Sequence, residues 1–220
     1  MNWHRPLGAH RRKHAYHHGD LRNALVGEAL TLLEKEGSSG FTLRDLARRV
    51  GVSCAAPYAH FNDKEALMAA IAAEGFIKLK ASMDAALDKD GDPLAPFMAV
   101  GRTYIQFGID NPALYELMFA SEDLPAKRHL FPDLEAAGTA AFTTLTNMLG
   151  SLQQAGLLRP GDLDADGLAV WAHVHGLVSL INTGRIGCVE DCGAGHAIQT
   201  DEAIEHSLGI LLDALRAPQT

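Results

Sequence analysis

The sequence predicts an all-α protein in two parts, a small N-terminal unit of three helices and a larger helical body. Apolar residues recur at helical spacing along the chain, and no window sustains the alternation of a strand. Helix start and stop signals follow one another at helix-sized intervals. The charge is also divided. Residues 1–64 hold ten Lys/Arg against six Asp/Glu, a net of +4, and residues 65–220 hold nine against twenty-one, a net of −12, which sum to the formal −8 of the chain. A basic front on an acidic body points to a polyanionic partner for the front alone.

The elements follow in order. Residues 1–19 read as a basic, His-rich arm, residues 20–64 as the three-helix unit and residues 65–220 as the body. A first helix fits about 20–36, with Leu21, Leu25, Leu32 and Leu33 on one face, Asp20 at its positive end and Gly37 as C-terminal cap. The second opens at Thr42, with Asp45 completing a capping box, and closes near Val50. Gly51 permits a left-handed turn, and Ser53 is placed to cap a third, very short helix that contains Pro57. Asn62 with Glu65 repeats the capping signature and opens a long helix to about Leu87. After the break KDGDP, further helices fit about 94–109, 113–119, 132–155, 164–186 and 201–216.

Several classes are disfavoured. Three cysteines form no framework spacing, so a reducing, cytoplasmic setting is expected rather than a disulfide scaffold. No apolar stretch follows the basic N-terminus, so no signal peptide is expected. The most apolar run, residues 167–181, is too short to span a bilayer and holds two histidines, so no membrane association is expected. No nucleophile elbow, phosphate loop or paired-carboxylate spacing supports an enzyme built on His173 or His175. An architectural protein that used the basic arm alone would bind DNA without sequence preference.

The segment 41–61 has the pattern of a helix-turn-helix. Phe41, Leu46, Ala47 and Val50 give the second helix an inner face, and Val52 and Phe61 close a small core. Cys54, Ala55, Tyr58, Ala59 and His60 remain outward, small or polar, as close approach to a DNA groove requires. Pro57 lies one turn in, where it removes little regular bonding and leaves an irregular first turn.

The stretch FTLRDLARRVGVSCAAPYAHFNDKEALMAAI, with YHHGDLRNALVGEAL upstream, resembles the DNA-binding domain of the TetR family of bacterial transcriptional regulators over roughly residues 16–72. It departs at Pro57, where the family more often has leucine. The resemblance implies a homodimer that acts as a repressor, binds an inverted-repeat, double-stranded operator and releases it when a small organic effector binds the C-terminal domain. Matched by position, Thr42 and Arg44 touch phosphates, Ser53, Cys54, Ala55 and Ala56 lie near base edges, Tyr58 and His60 are a phosphate-contacting pair, and Lys64 meets a phosphate at the start of the long helix. With few long polar side chains at 54–57, contact with thymine methyl groups and shape readout are expected to carry more of the specificity than direct hydrogen bonds.

In the body, VWAHVHGLVSLINTGRI (170–186) and NPALYELMF (111–119) resemble one subgroup of TetR-family C-terminal domains marked by Trp171, His175 and Gly176. The family pattern implies a four-helix dimer interface from the last two long helices, with Gly176 and Gly184 allowing close contact and Leu168, Val170, Leu177, Leu180, Ile181, Ile204, Leu208, Leu211, Leu212 and Leu215 supplying apolar surface. Candidate effector-contacting residues are Phe97, Tyr104, Phe107, Phe142, Met148, Trp171 and His175, with simple core packing as the alternative for each. The net −12 of the body favours an uncharged or weakly polar effector over an anion. Cys188, Cys192 and His196 form a C-x3-C-x3-H pattern without an evident fourth ligand, so neither a metal nor a cofactor is expected.

Overall fold

The computed structural model describes residues 18–37, 40–87, 92–119, 124, 127–185 and 200–218. The arm before His18 and the loop carrying Cys188, Cys192 and His196 lie outside the described residues. Within them the chain forms eight α-helices: α1 His18–Glu36, α2 Leu43–Val50, α3 Lys64–Leu87, α4 Ala95–Asp110, α5 Pro112–Phe119, α6 Pro132–Gln154, α7 Leu163–Asn182 and α8 Thr200–Leu215. Short 3-10 turns lie at Ala56–Ala59 and Arg128–Leu130. No strand forms among the described residues, apart from an isolated bridge between Leu158 and Arg216. None of these helices is long and apolar enough to cross a membrane.

Local chemistry explains most boundaries. Gly37 ends α1 with φ at 73°, and its amide donates to the Leu33 carbonyl at 3.0 Å. Thr42 and Asp45 form a reciprocal capping box at the start of α2, and Gly51 closes that helix at φ 79°. The start of α3 differs from expectation. Asp63 rather than Asn62 supplies the cap, its carboxylate accepting the Ala66 amide at 2.8 Å. Pro112 and Pro132 occupy the first positions of α5 and α6, where a missing N–H costs nothing. Asp162 caps α7 by accepting the amides of Asp164 and Ala165. The same helix stops at Asn182, four residues short of its expected end, because Gly184 takes φ 68°. Gly184 therefore terminates α7 rather than serving as a contact position within it.

One continuous apolar core runs from Leu21 in α1 to Leu215 in α8. α3 is its spine, packing on α1 near its start and on α4, α5 and α6 along its length. α4 also packs on α7 and α8. Close approach there needs a missing side chain: a Cβ on Gly108 would stand 2.5 Å from Val178 Cγ1. The end of the chain is pinned to the α6–α7 connection, with the Arg159 amide donating to the Leu215 carbonyl at 2.9 Å.

Half of the ten residues expected on a dimer face serve this core instead. Val170, Ile204, Leu208, Leu212 and Leu215 are buried inside the protomer, because α7 and α8 must cover α4 before either can meet a second copy. Leu168 and Leu180 are exposed, Leu177, Ile181 and Leu211 are half-buried, and Ile210 joins the exposed set.

Candidate functional site

The α2-turn segment is built around Phe41, Leu43, Leu46, Pro57 and Phe61, all buried. The turn itself is tight. The Val52 amide donates to the Ala47 carbonyl at 2.9 Å, closing α2 over Gly51. The expected third helix is not an α-helix. It is the four-residue 3-10 turn Ala56–Ala59, with Ala55 in the cap position and no side-chain cap, so Ser53 contributes its carbonyl to the Ala56 amide rather than its hydroxyl. The cause is Pro57, which lacks the N–H that would reach back to Ser53. The tighter i to i−3 bond from the Tyr58 amide to the Ala55 carbonyl (3.2 Å) forms instead.

This geometry sets out a narrow surface. Thr42, Arg44, Ser53, Cys54, Ala55 and Tyr58 are exposed, and Ala56, His60 and Lys64 are half-buried. Tyr58 is 49% exposed although aromatic. Arg48 and Arg49 are held by acidic neighbours, Arg48 by Asp45 and Arg49 by Glu36 and Glu28, whereas Arg44 carries no such ion pair among the described residues. Lys64 turns partly inward. Its ammonium donates to the Phe41 carbonyl at 2.6 Å and lies 4.8 Å from the centre of the Phe41 ring, and burial pulls its pKa down.

A cavity of about 430 Å³ opens inside the body, within the size range of small-molecule sites. α3, α4, α6 and α7 form most of its wall, through residues such as Phe76, Met83, Leu145 and Val174. Of the residues expected to contact an effector, Phe97, Tyr104, Phe142, Met148 and Trp171 line it. Phe107 does not. It is buried one turn beyond Tyr104 on α4, turned away from the cavity. His175 is also outside the lining, but it touches residues that line it.

Those contacts form a polar chain behind the wall. Trp171 Nε1 donates to Tyr104 Oη at 3.0 Å, the Tyr104 and Tyr115 hydroxyls stand 3.1 Å apart, and Tyr115 Oη lies 2.5 Å from His175 Nδ1. One direction of donation satisfies every member: Trp171 to Tyr104, Tyr104 to Tyr115, and Tyr115 to an unprotonated Nδ1. Burial supports that assignment, since it holds the His175 pKa below its ordinary 6.5 and pushes the Tyr104 phenol up to about 12. The Tyr115 phenol is pushed up as well, burial again the main cause. The Tyr115 and His175 rings also stack at 5.3 Å.

Sequence reasoning missed Arg128, Phe76, Met83, Met118 and Phe119, all of which line the cavity. Arg128 sits on the short 3-10 turn between α5 and α6, where no periodicity marks which way a side chain faces. The neighbouring Lys127 pairs with Glu65 in the first turn of α3 at 2.8 Å, so the cavity rim is tied to the start of that helix, next to the helix-turn-helix.

Known proteins match both halves. Residues 25–71 match the family described as bacterial regulatory proteins, tetR family, and residues 97–201 match the tetracyclin repressor-like C-terminal domain. A solved structure of a protein of unknown function from Rhodococcus sp. RHA1 is 31% identical, with a TM-score of 0.78, over 93% of this chain and all of that one. A tetR-family regulatory protein from Rhodococcus RHA1 shares the fold at 18% identity and a TM-score of 0.65, over 90% of this chain and 98% of that one. The Bacillus subtilis HTH-type transcriptional regulator YobS is 29% identical over 99 residues, 44% of this chain and 51% of that protein, so the chain spans about half the length of this curated relative. The helix-turn-helix and the cavity-bearing body thus match the two halves of one family in the order in which they fold, and the chain belongs to the TetR family of bacterial regulatory proteins.

Proposed function

We propose that the protein is a cytoplasmic, dimeric transcriptional repressor that binds an inverted-repeat operator and releases it when a small organic effector enters the cavity. The observation that carries this reading is the joining of the two sites by one rigid element: α3 begins beside the recognition segment at Lys64 and forms the cavity wall at Ala72, Phe76, Leu79 and Met83. A ligand seated among these side chains can bias the angle at which α3 presents the helix-turn-helix. It does so only if it binds the releasing arrangement more tightly than the DNA-bound one.

In this reading Thr42 and Arg44 meet phosphates, Ser53, Cys54, Ala55 and Ala56 approach base edges, and Tyr58, His60 and Lys64 fix the backbone on the far side. A 3-10 turn reads few base pairs, so two copies are needed for useful affinity. Their interface is the outer face of α7 and α8, where Leu180 and Ile210 are 46% and 56% exposed, while the exposed Leu168 also lines the cavity. The test is selection of bound sequences from a random duplex pool. A pseudo-palindromic consensus is expected, and recovery of no consensus defeats the reading.

A further inference from the structure

We infer that the effector is an amphipathic monoanion whose carboxylate pairs with Arg128 while its apolar body fills the cavity; this rests on reading the cavity as the effector site. Among the described residues that line it, Arg128 is the one charged side chain. The other polar members are Thr139, Tyr104 and Trp171, and the last two are already bonded to each other. The rest of the wall is aliphatic or aromatic carbon.

The guanidinium is held but not satisfied. Its plane lies over Phe76, 5.2 Å from the ring centre, and its tip fills the space beside Gly138, where a Cβ would stand 1.5 Å from Nη2. Nη2 makes a single long bond to the Glu135 carbonyl at 3.3 Å, and Nε is buried without a partner. No carboxylate among the described residues stands within ion-pair distance of it. A guanidinium fixed in this way is already oriented for two parallel bonds to a planar acid. An entirely apolar ligand would strip water from that charge and return nothing, which is costly. A multiply charged head group would find no second cation among the described lining residues.

The acidic balance of the whole body pointed the other way, to an uncharged effector. Distance reverses that conclusion. Most described carboxylates of the body lie at exposed positions and are screened by water and salt, and two of the half-buried ones, Glu65 and Asp166, are paired with Lys127 and Arg159, whereas Arg128 would act at contact inside an apolar cavity.

Titration calorimetry on the full chain tests this with matched probes: octanoate against 1-octanol, and 2-naphthoate against 2-naphthol. At least one acid should bind tenfold or more tighter than its alcohol, by roughly the margin of a charge-assisted pair. Arg128→Gln should lower that acid's affinity about tenfold to a hundredfold and leave the alcohol unchanged. Arg128→Lys, which keeps the charge but not the fork, should fall between. Melting curves of both variants establish that they are folded. Alcohols that bind as tightly as acids overturn the inference, as does an equal effect of Arg128→Gln on both, or binding of neither probe class. The regulator reading is judged separately, by whether the parent protein selects a DNA sequence with no effector present.

Discussion

Lys64 answers to two demands at once. Its ammonium spends one donor on the Phe41 carbonyl, which ties the start of α3 to the start of the helix-turn-helix, and two donors remain. Lys64→Ala should therefore cost about 1 kcal/mol of stability, seen in urea melts. It should also weaken binding to every DNA sequence alike and flatten the slope of log affinity against log salt by about one unit. A changed sequence preference with an unchanged slope would refute its assignment to a phosphate. His175 makes a second case. Its folded pKa is held below 6.5 by burial, so at neutral pH the neutral form predominates in both folded and unfolded states. As pH falls below 6.5, the unfolded chain takes up the proton first and stability declines until the folded pKa is passed. Melting temperature should drop on acidification through this window, and His175→Asn, which preserves an acceptor without titrating, should blunt the drop. Identical pH profiles for variant and parent would remove His175 from that role.

At the scale of elements, the proposed recognition segment is a 3-10 turn where an α-helix was expected. Four residues in a 3-10 turn offer less reach than an α-helix, and Pro57 is the reason. Pro57→Leu would restore an N–H opposite the Ser53 carbonyl and allow α-type bonding through Tyr58. The variant should gain helical circular dichroism, and the same pool selection should return an altered consensus. An unchanged consensus would mean that the turn is remodelled on DNA whichever residue stands there. The body elements differ in kind, since their bounds follow from caps while their faces follow from neighbours. α4 shows this. Tyr104 looks into the cavity and Phe107, one turn on, looks away, although both were candidates on the same helix.

For the whole molecule the proposed dimer rests on the open face of α7 and α8. Leu180 and Ile210 are exposed apolar side chains on these two helices of an acidic body, and in the proposed dimer a second copy would cover them by two-fold symmetry. Sedimentation at micromolar concentration should give twice the 23.6 kDa of the chain. Leu180→Lys combined with Ile210→Lys should give a folded monomer with much weaker operator binding, because half-site affinities no longer combine. A parent protein that sediments as a monomer would refute the dimer.

The sequence by itself determined the class of fold, the order of the elements and most of their ends. Capping boxes, N-terminal prolines and left-handed glycines act within a few residues, so Thr42 with Asp45, Gly37 and Gly51 could be read without knowing what packs where. It also carried the helix-turn-helix, because that motif is local. Only the tertiary structure decided which apolar residues meet each other and which meet empty space. Leu208 and Leu180 are the same residue type on neighbouring helices, yet one is fully buried against α4 and the other is exposed. Arg128 carried no signal in the sequence, since a lone arginine between two helices is ordinary. Its significance arises where Phe76 and Gly138, from two other helices, hold its charge at the cavity wall, and juxtaposition across helices is not encoded in the spacing of any one of them.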